Sequence, residues 1–183
     1  MSQLLSLPAD AHALRDVLRE ALEREVLADI PITRAMQLRI VAWTGDSLSM
    51  AAPLAANVND KGCAFGGSLA SVLTLAGWAL VRLAVERAGL GCDIYVQDST
   101  IRYLLPVWND FTATARLDSE DRFDDFFNVL RSRGKARITV RCAIPAPDGS
   151  VATALTARFV ALVRSDPSPR SVDTAQSAAA TEA

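Results

Sequence analysis

The segment Asn57-Val-Asn-Asp-Lys-Gly-Cys-Ala-Phe-Gly-Gly-Ser-Leu69 joins amide side chains, a glycine-rich turn and the start of an uncharged helical run. A helix start carries backbone N–H groups without intrahelical partners and the positive end of the helix dipole, so it suits an oxyanion. No His, Cys–His pair or metal-ligand cluster accompanies the segment. The chemistry this implies is polarisation of a carbonyl rather than activation of a nucleophile. Asn59 can offer its side-chain amide as a donor, or it can close an Asx turn ahead of Gly62, and position alone favours the turn. Asn57 reads as structural. Ser68 reads as a polar residue of a helix start, since no base stands near it to make it a nucleophile.

The other reactive residue types add little. Cys63, Cys92 and Cys142 are odd in number and widely spaced, which fits free thiols in a reducing cytoplasm better than a disulfide framework or a zinc site. Cys63 lies inside the loop, with Lys61 the only basic neighbour that could make it a thiolate. The single histidine, His12, is far away in an amphipathic segment. A formal net charge of −2, from 19 basic and 21 acidic residues, leaves no electrostatic footprint for nucleic acid, and no basic tract is visible. Pro8 and Asp10 interrupt the apolar N-terminus, so no signal peptide is expected. Gly62 to Val81 carries no formal charge and is of membrane length, but its Gly, Ala, Ser and Thr content and flanking strand-like segments fit a helix wrapped by a sheet.

The elements that must position the loop follow from periodicity. In residues 9–29, Leu14, Leu18, Leu22 and Val26 recur every four residues while Arg15, Arg19, Glu23 and Arg24 lie off that stripe, which predicts an amphipathic helix closed by Pro31. Met36, Leu38 and Ile40 alternate with polar residues, as do Leu48, Met50 and Ala52 beyond Gly45-Asp46, which predicts an antiparallel hairpin. The glycine loop then opens a mostly buried helix from Gly66 to Arg87, ended by Gly89 and Gly91. Strands are expected over 93–104, stopped by Pro106, and over 110–117, 135–145 and 151–163. Phe123, Phe126, Phe127 and Leu130 at helical spacing make 119–133 a short helix or lid. Residues 165–183 have the composition of a disordered tail. The expected organisation is an N-terminal helix over 1–30, one α+β domain over 31–164 and the tail.

With the elements in that order, Asn59-x-x-Gly62 leading into Gly66-Gly67 resembles the hotdog fold of acyl-thioester enzymes, residue by residue at those four positions. Ile101-x-Tyr103-x-x-Pro106 is similar to that superfamily's third strand. A closer likeness is to a thioesterase-like branch sometimes fused behind an acetyltransferase domain. There Asn-x-x-Gly-x-Ala-Phe-Gly-Gly-Ser-Leu is followed by Leu-x-Gly-Trp, here Leu75-Ala76-Gly77-Trp78. Members of that branch are described as malonyl-acyl carrier protein decarboxylases as well as thioesterases. The resemblance spans roughly residues 30–164; Cys63 stands where Thr is usual, and Asp60 is also a departure.

The resemblance implies a long central helix wrapped by a mostly antiparallel sheet. It also implies catalytic roles for Asn59, Gly66 and Gly67, with Phe65, Ser68, Asn57 and Tyr103 as substrate-binding positions. In hotdog thioesterases of this motif type, a carboxylate about two turns into the helix activates water. This chain has Thr74 there, and no Asp or Glu between Asp60 and Glu86. Glu86 lies about 18 Å farther along at helical rise, out of reach. Decarboxylation of a malonyl thioester does not need that base. Asp98 is the remaining candidate base for hydrolysis, on a strand face shared with Thr100 and Arg102. The substrate would ride on the phosphopantetheine of acyl carrier protein or coenzyme A, with no other cofactor and no metal. A second copy of the chain is expected along strand 93–104, an otherwise open sheet edge. Malonyl-acyl carrier protein decarboxylase leads, thioester hydrolase follows, and a non-catalytic acyl-binding protein is the third reading.

Overall fold

The structure, a computed structural model, describes residues 9–164. Helices α1 (Ala9–Asp29), α2 (Pro31–Ala35), α3 (Gly66–Arg87) and α4 (Phe123–Arg133) accompany strands β1 (Arg39–Trp43), β2 (Ser47–Ala52), β3 (Cys92–Tyr103), β4 (Phe111–Leu117), β5 (Lys135–Pro145) and β6 (Val151–Val163). All six strands join one antiparallel sheet in the order β1-β2-β4-β5-β6-β3. The expected tail over 165–183 lies outside the described residues.

The sheet wraps α3, the hotdog arrangement. Charge-free turns leave α3 able to bury Leu69, Val72, Leu73, Leu80 and Leu83 against the inner sheet face, where Met50, Ile138, Leu155 and Phe159 meet them. By length and hydropathy α3 would suffice to cross a membrane, but its apolar surface is taken up by the sheet. Small residues set how closely the layers approach. A Cβ on Gly77 would stand 3.0 Å from the Phe159 ring and 3.3 Å from Cys142 Sγ. Next to it, the Trp78 indole N–H donates to the Ile94 carbonyl at 3.2 Å and ties α3 to β3. The Gly-Trp of the motif is therefore a helix-to-sheet fastening. Burial pushes the Cys142 thiol up to about 12 and raises that of Cys92, which marks both as inert core residues.

The two sheet edges differ. At β1, side chains of α1 occupy the free backbone groups: Arg19 donates to the Ile40 carbonyl (2.8 Å), Glu23 accepts from the Ile40 N–H (2.6 Å), and Arg15 donates to the Thr44 carbonyl (2.6 Å). These residues, spaced by four, lie off the apolar stripe, and their task is edge protection. The stripe buries Leu22 and Val26, with Leu18 half-buried and Leu14 exposed. At β3 no element covers the outer edge among the described residues, and Tyr95 and Val96 are about half exposed there.

The first strand is shorter than the alternation implies. Helix α1 ends at Asp29 ahead of Pro31, as expected, but Pro31 also opens α2, and Gln37 takes a left-handed conformation (φ 55°), so pairing begins only at Arg39. The buried Thr33 hydroxyl holds this corner by donating to the Val26 and Ile30 carbonyls. Residues 119–133 contain α4, which buries Phe126, Phe127 and Leu130 and ends at Gly134 with φ 66°.

Candidate active site

The loop ahead of α3 is a narrow hairpin whose rungs run outward from the helix. Phe65 N–H donates to the Asn57 carbonyl (2.7 Å), Val58 bridges Ala64, and Asn59 N–H donates to the Cys63 carbonyl (2.8 Å). Gly62 closes the tip with φ 85° and donates to the Asn59 carbonyl at 3.2 Å. A positive φ favours glycine there.

Asn57 sits at the base of this hairpin and is 2% exposed. Its amide donates to the carbonyls of Met36 (3.0 Å) and Pro53 (2.8 Å). That removes it from the expected substrate contacts, because both amide hydrogens are committed to the corner between α2 and β2. Asn59 sits nearer the tip. Its Oδ1 accepts the Lys61 N–H at 2.8 Å, an Asx turn, while its Nδ2 donates to Cys63 Sγ at 3.2 Å. Its second amide hydrogen has no partner among the bonds of the described residues. Lys61 pairs with Asp60 at 2.9 Å rather than with the buried Cys63.

The helix start is bare. Phe65 is the N-cap without a side-chain cap bond, and the first turn holds no acidic residue. The first intrahelical bond runs from Leu69 N–H to the Phe65 carbonyl (3.0 Å), so the N–H groups of Gly66, Gly67 and Ser68 have no intrahelical acceptor and remain available as donors. Beside them lies a cavity of about 330 Å³ lined by Ala64, Gly66, Leu69, Tyr103 and residues 104–107. The wall after β3 is fixed by main-chain bonds: Ala64 N–H to the Val107 carbonyl, and the N–H groups of Leu104 and Leu105 to the Ala152 carbonyl. Tyr103 contributes its ring and donates its hydroxyl to the Gly66 carbonyl at 3.2 Å. Among the described residues no ionisable side chain other than this phenol lines the cavity.

Of the expected site residues, Gly66 and Tyr103 line this cavity, and Gly67 follows in the same turn. Phe65 is 55% exposed, with its ring over Gly67, where a Cβ would come within 2.3 Å of the ring edge. It borders the mouth instead of forming the wall. Ser68 is half-buried in the first turn. Asn59 is not in the lining; two residues of extended chain, about 7 Å, separate it from the base of the hairpin. Asn59 and the helix donors therefore do not converge within one chain. Asp98 is placed by strand parity. Tyr103, Ile101 and Ser99 pair with inward-facing Thr153, Leu155 and Ala157, whereas Asp98 pairs with Arg158 on the outer face. Its carboxylate is 59% exposed, 3.9 Å from that arginine rather than from Arg102. It cannot act as a base in this cavity. Residues 104–107 were legible only as a strand stop at Pro106, because a cavity wall built by main-chain bonding has no residue signature.

A family model described as "Putative thioesterase (yiiD_Cterm)" matches residues 19–163. Among solved structures, a protein of unknown function from Chlorobaculum tepidum is 29% identical, with a TM-score of 0.76 over 81% of this chain and 96% of that one. A protein from Shewanella oneidensis described as a putative thioesterase is 28% identical, with a TM-score of 0.72 over 80% of this chain and 99% of that one. A Pseudomonas aeruginosa protein at 23% identity and a TM-score of 0.68, covering 86% of this chain and 97% of that one, shares the fold.

Proposed function

The chain belongs to this putative thioesterase family, and from that premise we propose that it decarboxylates malonyl-acyl carrier protein to acetyl-acyl carrier protein. Acyl-thioester chemistry is the family-level activity, and the finer reading rests on one observation. The uncapped first turn of α3 opens onto a cavity to whose wall the described residues bring no carboxylate, histidine or cation. Hydrolysis asks for a base to activate water, and none is present there. Decarboxylation asks for donors at the thioester oxygen and a dry place for the carboxylate.

In the proposed step the bond between the malonyl carboxyl carbon and Cα breaks and CO2 leaves. The electron pair moves onto the thioester, forming an enolate with charge on its oxygen; water then protonates Cα. The Gly66 and Gly67 N–H groups hold that oxygen, and preorganised donors of this kind are worth about 3–4 kcal/mol each. The substrate carboxylate finds no cation in the apolar wall, so its burial is costly and its departure relieves the cost. Asn59 does not reach this oxygen from its own chain; its uncommitted amide hydrogen at the hairpin tip fixes the pose of a thioester bound between two copies.

The test is product analysis by mass after incubation with malonyl and simple acyl thioesters on both carriers. Expected are CO2 and acetyl thioester from malonyl substrate, with Asn59→Asp reducing kcat/KM by at least about tenfold. Asp keeps the acceptor for Lys61 N–H and loses the donor, so full activity in Asn59→Asp removes Asn59 from the mechanism. Free thiol without CO2 supports the hydrolase reading that the family description favours. Saturable binding with neither product supports a non-catalytic acyl-binding protein.

A further inference from the structure

The cations of this chain look scattered in sequence, but the strand register collects them on the outer face of the sheet. Lys135, Arg137 and Arg141 alternate along β5 and are exposed; Arg116 of β4 lies directly opposite Arg141, and Arg158 of β6 lies diagonal to it and to Arg137. Arg102 stands on the same side of β3, next to Tyr103, which turns inward to the cavity. Two carboxylates answer these six cations: Asp118 pairs with Arg141 at 3.0 Å, and Asp98 approaches Arg158 at 3.9 Å. Arg137 has only the Gln97 amide oxygen, at 2.7 Å, and Arg102, Arg116 and Lys135 have no carboxylate partner among the described residues. A chain with a net charge of −2 thus carries one face with a clear positive excess.

We propose that this face docks the acidic surface of the carrier protein that delivers the substrate, a partner choice that rests on the acyl-thioester reading above. Like charges placed directly across strands, as at Arg116 and Arg141, cost stability in isolation and are relieved by an acidic partner. The cations are spread over four strands, about 14 Å across, and about 20 Å along β5. The cavity beside α3 includes none of them, and a span this wide fits a row of protein carboxylates better than a single phosphate or nucleotide. The face also ends where the arm must enter: at the end of β3, Arg102 faces outward and the adjacent Tyr103 faces the cavity. A phosphopantetheine arm passes around that strand end to reach the first turn of α3.

The experiment titrates the full chain with apo acyl carrier protein, which lacks the arm and so reads the surface alone. The comparison is with Lys135→Glu/Arg137→Glu, both exposed residues outside the cavity, with thermal unfolding confirming that the variant is folded. Expected are wild-type binding that weakens as salt rises from about 50 to about 300 mM, and about a tenfold loss of affinity in the variant. Turnover of coenzyme A-carried substrate stays unchanged while that of carrier-borne substrate falls. Equal binding by wild type and variant, or no wild-type binding, overturns the proposal. So does an equal fall on both carriers, which indicates a phosphate site, or a charge-dependent preference for anionic vesicles or nucleic acid over the carrier. Intact carrier binding with no turnover on either carrier supports the docking face and overturns the catalytic reading instead.

Discussion

Asn57 and Asn59 stand two residues apart in one loop, and the hairpin ladder between them assigns the first to the interior and the second to the tip. Asn57 joins two segments through the Met36 and Pro53 carbonyls, so its role is stability. Asn57→Ala should leave those buried acceptors unpaired and lower unfolding stability by about 1–3 kcal/mol, read as a shift in denaturant midpoint. The loss is moderated because its own Oδ1, buried and unpartnered, also disappears. Asn59→Asp should leave that midpoint nearly unchanged and act on turnover. If the two variants exchanged phenotypes, the division of labour drawn from the ladder would be wrong. Loop position already reads Asn57 as structural while the resemblance sets it among the substrate contacts, and it is the pairing of Asn57 with Phe65 that decides which of the two points inward.

At the scale of elements, contacts between layers determine what each segment tolerates. Gly77→Ala gains about 1 kcal/mol in helix propensity but drives a Cβ to 3.0 Å from Phe159, which is 1% exposed and has nowhere to go. Overpacking costs of about 1–3 kcal/mol should make the variant less stable by calorimetry. Helix α1 matters differently. Glu23→Ala should remove a charged acceptor from the Ile40 N–H, costing about 1.5–3 kcal/mol and speeding exchange of that amide with solvent. An unchanged exchange rate would mean that α1 does not seal the edge. Helix α3 is readable from its charge-free run ended by Gly89, and β5 and β6 from their alternation on either side of Asp148-Gly149. The start of β1 was not, since the Met36–Ile40 alternation is equally well met by a helix end, a left-handed Gln37 and a short strand. The duty of Arg15, Arg19 and Glu23 was hidden too, because a polar helix face looks the same whether it meets water or a strand edge.

For the whole molecule, the asymmetry of the two edges has a consequence for assembly. With β1 covered by α1, β3 is the edge that still offers free N–H and C=O groups, and it carries half-exposed Tyr95 and Val96. The apolar surface continues past its end through Leu104 and Leu105 of the cavity wall to Trp108, all more than 40% exposed. An edge of this kind invites pairing, and we propose that a second copy meets it strand to strand, so that the cavity wall after Tyr103 is covered on assembly. Light scattering should then give twice the 19.6 kDa chain mass. Val96→Lys should shift the protein to the monomer by placing a charge in the seam. Turnover should fall with dimer content, because the half-open cavity would no longer exclude water from the thioester. A wild-type monomer with full activity would separate catalysis from assembly and leave the apolar rim to be explained by the acyl chain alone.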